Sequence, residues 1–72
     1  MTERTEELDG YKIRLQRSTN GDYPRYHAEG RDDLWGRYGE AFAESAYDAL
    51  SKLADLLKID REEVLITFGL VP

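Results

Sequence analysis

Apolar and polar side chains alternate strictly in Tyr11-Lys12-Ile13-Arg14-Leu15-Gln16. Because successive side chains of a strand point to opposite faces of a sheet, this period of two predicts a half-buried β-strand. The dipeptide Asn20-Gly21 follows. It favours a two-residue hairpin turn, because Asn and Gly tolerate the positive φ that a type I′ turn requires. Residues 23–30 are therefore predicted to form the return strand.

A two-residue loop at Asn20-Gly21 determines which residues of this hairpin face each other. It places Ile13 opposite Ala28 and Leu15 opposite Tyr26, all on one face. A shift by one residue would mix the apolar and polar faces, so the pattern supports this parity. The opposite face is predicted to carry Lys12, Arg14, Arg25 and His27, with Tyr23 nearby.

A third strand is predicted over residues 34–43, where aromatic residues are interrupted by glycines. Glycine inside a strand is typical of a bend or bulge, which we expect near Gly36 or Gly39. Apolar residues at three- and four-residue spacing then predict an amphipathic helix over residues 46–57. Ser45 is its predicted N-cap.

A second, short helix is predicted after Asp60, which has the position of an N-cap. Gly69 suits the C-terminal end of that helix. The alternative is a strand over residues 64–68, because that stretch is β-branched and apolar.

The predicted fold class is α+β in the order β-β-β-α-α. A three-stranded antiparallel sheet is packed by one amphipathic helix, and the short second helix follows. Residues 1–9 are charged and show no periodicity, so they are predicted to be a mobile N-terminal tail, and residues 10–72 form a single small domain. The predicted core consists of Ile13, Leu15, Tyr26, Ala28, Trp35 or Tyr38, Phe42, Leu50, Leu53, Leu57, and Val64 or Phe68.

Composition limits the class of protein. The chain has 72 residues, of which 40% are hydrophobic and 35% are charged. A core this small makes a monomer marginally stable, which favours a homodimer. Cysteine is absent, so disulfides and thiolate zinc sites are excluded. No apolar run reaches the roughly 20 residues of a membrane span, and we expect a cytoplasmic protein that does not bind membranes.

The sequence predicts no catalytic residues, no cofactor and no metal site. His27 is the only histidine, and without cysteine we do not expect it to have enough partners to hold a metal. The adjacent acids Asp32-Asp33 and Glu62-Glu63 are typical of a polar turn and of the first turn of a helix. No glycine-rich phosphate loop is present. The chain is therefore not expected to be an enzyme.

Charge and aromatic residues point to binding. The net charge is −5, and residues 38–72 hold seven acidic and three basic residues, a net charge of −4. This balance disfavours nucleic acid and favours a protein partner. The candidate binding residues are those of the hairpin face, Lys12, Arg14, Tyr23, Arg25 and His27, and also Trp35 and Arg37, which belong to types that anchor interfaces.

The alternative function is RNA or single-stranded DNA binding, because cations interleaved with an aromatic side chain on a sheet are typical of a nucleic-acid platform. Plainer interpretations also remain open. The hairpin face can be an ordinary solvated surface, and Trp35 can be a cover for the core.

Residues 11–57 resemble the N-terminal domain of HicB-type antitoxins. The resemblance rests on the hairpin tip Gly21-Asp22-Tyr23, the short third strand, and the helix start Ser45-Ala46-Tyr47-Asp48-Ala49-Leu50. It implies a β-β-β-α arrangement like part of ribonuclease H but without nuclease activity, neutralisation of a small RNA-cleaving toxin, and oligomerisation. Residues 29–36 depart from the proline- and glycine-containing stretch that usually precedes the third strand of that family.

Overall fold

A computed structural model describes residues 3–17 and 25–70 of the chain. They form six elements: β1 (Glu3–Leu8), β2 (Tyr11–Arg17), β3 (Tyr26–Asp32), β4 (Arg37–Ala43), α1 (Ala46–Leu57) and α2 (Arg61–Thr67). The strands make one antiparallel sheet in the order β1-β2-β3-β4. Helix α1 packs against β3 and β4, and α2 packs against α1 and β1. Within the described ranges, neither helix has the length and apolar character needed to cross a membrane.

The α+β class and the two helices are confirmed, but the sheet has four strands instead of three. Residues 3–8 were predicted to lie in a mobile tail and instead form β1. They pair with β2 through a two-residue turn at Asp9-Gly10, between Leu8 and Tyr11. Both turn residues have positive φ, 52° for Asp9 and 83° for Gly10. Asp-Gly is a strong hairpin signal. Residues 3–8 therefore pair as a strand although they show no alternation of apolar and polar side chains.

The pairing of β2 with β3 differs from the predicted pairing. Ile13 lies opposite Gly30, and Leu15 lies opposite Ala28, a shift of two residues that keeps the paired side chains on their predicted faces. The return strand accordingly spans 26–32 and not 23–30. The predicted turn at Asn20-Gly21 lies outside the described residues.

A tight turn joins β3 to β4, so β4 begins later than predicted. The buried Asp32 side chain organises this turn, since its Oδ1 accepts hydrogen bonds from the backbone N–H groups of Leu34 (2.9 Å) and Trp35 (3.3 Å). The N–H of Gly36, which has a φ of 71°, donates to the Asp32 carbonyl at 2.8 Å. The irregularity expected near Gly36 is therefore a hairpin turn.

Both helices begin at the predicted caps. Ser45 Oγ accepts the N–H of Asp48 at 3.1 Å, and Asp60 Oδ1 accepts the N–H of Glu62 at 2.8 Å. Each bond satisfies a donor that a helix N-terminus leaves free. The last element is a helix and not a strand, and it ends before Gly69, whose φ is 74°.

The core lies between the sheet and the helices. It contains Tyr11, Ile13, Ala28, Ala41, Ala43, Ala49, Leu50, Leu53, Ala54, Leu57, Val64, Leu65 and Phe68, with Leu15 and Tyr26 packed against it.

The predicted core membership of Trp35, Tyr38 and Phe42 is wrong, because they are 70%, 55% and 50% exposed. Gly39, Ala41 and Ala43 take the helix-facing positions of β4. Small residues are needed there because α1 approaches closely: a Cβ atom at Gly39 would lie 3.1 Å from Leu57 Cδ2.

Candidate functional site

The sheet face opposite the helices is called the outer face here. Each strand contributes three side chains to it, and the pairing arranges them in rows across the four strands. The rows are Glu7-Lys12-Arg31-Tyr38, Thr5-Arg14-Glu29-Glu40 and Glu3-Gln16-His27-Phe42. All of these side chains are exposed or half-buried, so nothing in the described part of the chain covers this face.

Polar contacts link the side chains of the outer face from strand to strand. Arg14 forms an ion pair with Glu29 and a longer one, at 3.5 Å, with Glu3. The Tyr38 hydroxyl lies 2.8 Å from Glu29 Oε2 and 3.1 Å from Glu40 Oε2, so its single O–H is shared between the two carboxylates. One network therefore connects all four strands.

His27 ends this network and is held on two sides. Its Nε2 lies 2.9 Å from Glu40 Oε2. Its ring stacks on Phe42, with the centroids 4.4 Å apart and the planes 12° from parallel. His27, Glu29 and Glu40 each offer one ligand atom, and these atoms lie within 4.8 Å of one another. We call these three residues the His-Glu-Glu cluster.

The hydrogen bonds of the network shift the pKa of two of its members. The pKa of Tyr38 is raised to about 12, first because its hydroxyl donates to Glu29, then by desolvation and the bond to Glu40. The pKa of Glu40 is lowered, first by the hydrogen bond with His27 and then by that with Tyr38. Near neutral pH, Glu40 is therefore an anion and Tyr38 is a neutral donor.

An open depression of about 340 Å³ occupies part of the outer face. Three cations contribute to its lining, namely Lys12, Arg14 and Arg31, together with Glu3, Thr5, Glu29 and Tyr38. Lys12 and Arg31 lie directly opposite each other on β2 and β3, and Arg31 forms an ion pair with Asp33 at 3.0 Å. The depression therefore mixes charges of both signs.

The turn between β3 and β4 adds two large apolar side chains next to the outer face. Leu34 is 82% exposed and Trp35 is 70% exposed. Their backbone is fixed by the bonds to Asp32 described above. The row that contains Tyr38 is the one nearest this turn.

The structure brings together only some of the predicted binding residues. Lys12, Arg14 and His27 share the outer face, whereas Trp35 lies in the β3–β4 turn and the exposed Arg25 precedes β3.

Arg37 belongs to the helix-covered side of the sheet, opposite Asp32. Its Nη1 lies 3.5 Å from the Tyr11 hydroxyl, and this contact is the first cause of its raised pKa. Tyr23 lies outside the described residues. The outer face is also less basic than predicted, because four glutamates accompany its three permanent cations.

The contribution of β4 to the outer face was not predicted from the sequence. Glu40 and Tyr38 complete the network, and the absence of a metal-ligand set was predicted without considering them. A signal was available: in residues 38–43, large or polar side chains alternate with Gly39, Ala41 and Ala43. That alternation indicates which face Tyr38 and Glu40 occupy.

No family model, no curated protein and no solved structure matches this chain. The resemblance to HicB-type antitoxins therefore stays a prediction.

Proposed function

We propose that this protein is a non-catalytic interaction module that binds a protein partner through the outer face and the β3–β4 turn. The observation that carries the proposal is a full sheet face left uncovered by the described residues, with half-exposed Tyr38 and Phe42 on it and exposed Leu34 and Trp35 beside it. An uncovered face with several exposed large apolar side chains on it or beside it is a candidate binding site. Tyr and Trp are also the residue types that dominate binding energy at interfaces.

The charges of the outer face favour a particular partner chemistry. Lys12 and Arg31 lie opposite each other and line the depression, and both side chains are exposed, although Arg31 also pairs with Asp33. A partner that brings carboxylates to Lys12 and Arg31 and apolar side chains to Tyr38 and Trp35 would complement both features. Antitoxin-like neutralisation or inhibition of another protein in the cytoplasm is the regulatory form of this function that we expect.

The alternative partner is RNA or single-stranded DNA. Lys12, Arg14 and Arg31 beside Tyr38 offer cations and a stacking ring. Nucleic-acid binding is less well supported, because Arg14 already pairs with Glu29 and Glu3 and the face carries four glutamates. Each carboxylate would repel the phosphate backbone.

The test compares two exposed tyrosines, one on the outer face and one on helix α1. Tyr38→Ala removes a side chain of the outer face, and Tyr47→Ala removes one of similar exposure, 47% against 55%, from α1. Tagged wild-type and variant chains are crosslinked in the source cells, the captured protein is identified, and its affinity is then measured with purified components. We expect Tyr38→Ala and Trp35→Ala each to weaken binding by roughly thirtyfold, the effect of losing about 2 kcal/mol at an interface hot spot. Tyr47→Ala should leave the affinity within twofold.

Other outcomes identify other occupants. Equal losses for Tyr38→Ala and Tyr47→Ala would contradict a role of the outer face. Captured material that disappears after nuclease treatment, together with salt-dependent filter binding, would support the nucleic-acid alternative. A dimer mass in light scattering that Tyr38→Ala converts to a monomer would identify a second copy of this chain as the occupant.

A further inference from the structure

We infer that the His-Glu-Glu cluster is a binding site for a divalent transition-metal ion of the zinc type. The inference goes beyond the proposed function and does not depend on it. His27 and Glu29 are two residues apart on β3 and therefore point to the same face, and Glu40 lies directly opposite Glu29 on β4. The sheet thus presents one imidazole and two carboxylates side by side.

The distances fit a metal after small side-chain movements. Zinc binds histidine nitrogen and carboxylate oxygen at about 2.0–2.2 Å, so two ligand atoms of a tetrahedral site lie roughly 3.3 Å apart. His27 Nε2 and Glu40 Oε2 are 2.9 Å apart, and the third ligand atom, from Glu29, lies within 4.8 Å of both. In the metal-free contact an Nε2–H donates to the Glu40 carboxylate. A metal would replace this bond, with the neutral imidazole carrying its proton on Nδ1 and its Nε2 lone pair on the metal.

Each ligand is also held in place by a neighbour that is not a ligand. The His27 ring stacks on Phe42. The Tyr38 hydroxyl donates to both carboxylates. Arg14 engages the other oxygen of Glu29, Oε1, so that Oε2 points toward the cluster. Hydrogen bonds and packing of this kind orient metal ligands and raise the affinity of a site.

The chemistry of the donor set selects the class of metal. Imidazole with carboxylates suits zinc and its first-row neighbours, whereas Mg²⁺ and Ca²⁺ prefer oxygen donors alone. The two carboxylates carry two negative charges against the single positive charge of Arg14, so a divalent cation is electrostatically favoured. Three protein ligands also leave a coordination position open for water or for a group of a partner.

The test is a titration of the full, tag-free chain with ZnCl2, followed by calorimetry and by the NMR signals of the single histidine ring. We expect saturation at one equivalent with a shift of the His27 ring signals. His27→Gln should abolish zinc binding, and Glu40→Gln should weaken it about tenfold or more. Glu7→Gln is the matched control, since it removes an outer-face carboxylate from another row, and its affinity should stay within twofold.

Two results would overturn the inference. One is zinc binding no tighter than millimolar, or binding that His27→Gln leaves unchanged. The other is Mg²⁺ binding as tight as that of zinc, which would indicate a general attraction of cations to carboxylates. Circular dichroism verifies that each variant is folded. If Glu40→Gln does not fold, the zinc affinity of His27→Gln alone tests the inference, because the imidazole of His27 accounts for the preference for zinc over Mg²⁺.

Discussion

Glycines in the sheet let helix α1 pack closely against it. At Gly30, an added Cβ atom would lie 2.5 Å from Leu57 Cδ1, closer than atoms in contact can be. The sheet and α1 are packed to the point where one methyl group at position 30 requires the Leu57 side chain to move. Gly30 therefore has a packing role that its place in the sequence did not indicate.

We predict that Gly30→Ala lowers the free energy of unfolding by about 1 kcal/mol. Displacing the buried Leu57 costs more than the strand gains from replacing glycine. Urea unfolding measures the effect. The same substitution in a Leu57→Val background should cost little, because valine has no Cδ atom to clash. An equal cost in both backgrounds would contradict this explanation.

The C-terminal end of helix α1 requires a left-handed backbone conformation. Helix α1 ends at Lys58, which adopts a left-handed conformation with a φ of 59°. The N–H of the next residue, Ile59, donates to the Ala54 carbonyl at 3.0 Å. This is the geometry in which helices usually carry glycine, so the lysine adds backbone strain there.

We predict that Lys58→Gly raises the free energy of unfolding by about 0.5–1 kcal/mol, because glycine adopts a positive φ without a steric cost. Lys52→Gly is the matched control, since it makes the same chemical change inside α1. There glycine should lower stability by about 1 kcal/mol. Thermal unfolding measures the stability of the two variants. A loss of stability in both would show that the Lys58 side chain stabilises the fold by more than its backbone strain destabilises it.

The turn between β3 and β4 depends on one buried carboxylate. We predict that Asp32→Ala lowers the free energy of unfolding by about 1–2 kcal/mol, because the N–H groups of Leu34 and Trp35 lose their acceptor. Asp32→Asn keeps an acceptor oxygen and should cost less. Asp33→Ala, at an exposed neighbour, should change stability by less than about 0.5 kcal/mol. Denaturant titrations test this order, and a larger effect at Asp33 would contradict it.

At the scale of the whole molecule, the first strand is tied to the last helix. Arg4 in β1 donates from Nη1 to the Phe68 carbonyl at 2.9 Å and from Nη2 to the Thr67 carbonyl at 3.1 Å. Its guanidinium also lies 5.3 Å from the centre of the Phe68 ring. One side chain thus joins segments more than sixty residues apart.

We predict that Arg4→Ala lowers stability by about 1 kcal/mol and loosens β1 and the end of α2 together. Hydrogen exchange of the amides in both segments should become about fivefold faster. Glu6→Gln is the control, because it removes the ion pair with Arg4 at 2.8 Å and leaves the bonds to the helix carbonyls. Faster exchange in β1 alone would show that Arg4 does not couple the two segments.

Features that depend on residues close together in the chain were predictable from the sequence, and features that depend on distant residues were not. Both helices, with Ser45 and Asp60 as caps, were predictable because capping and helical periodicity involve residues a few positions apart. The parity of β2 was predictable for the same reason. The pairing with β3 was not, because a shift of two residues preserves that parity, so the alternation along the strands does not distinguish the two pairings.

The amino-acid sequence by itself determined the α+β class, the two helices and the face that each side chain of β2 occupies, because all of these follow from periodicity along the chain. Tertiary structure alone decided that Glu29 and Glu40 meet beside His27 and that Lys12 lies opposite Arg31. These juxtapositions arise between strands, and neighbours along a single strand carry no information about which residues will lie opposite them.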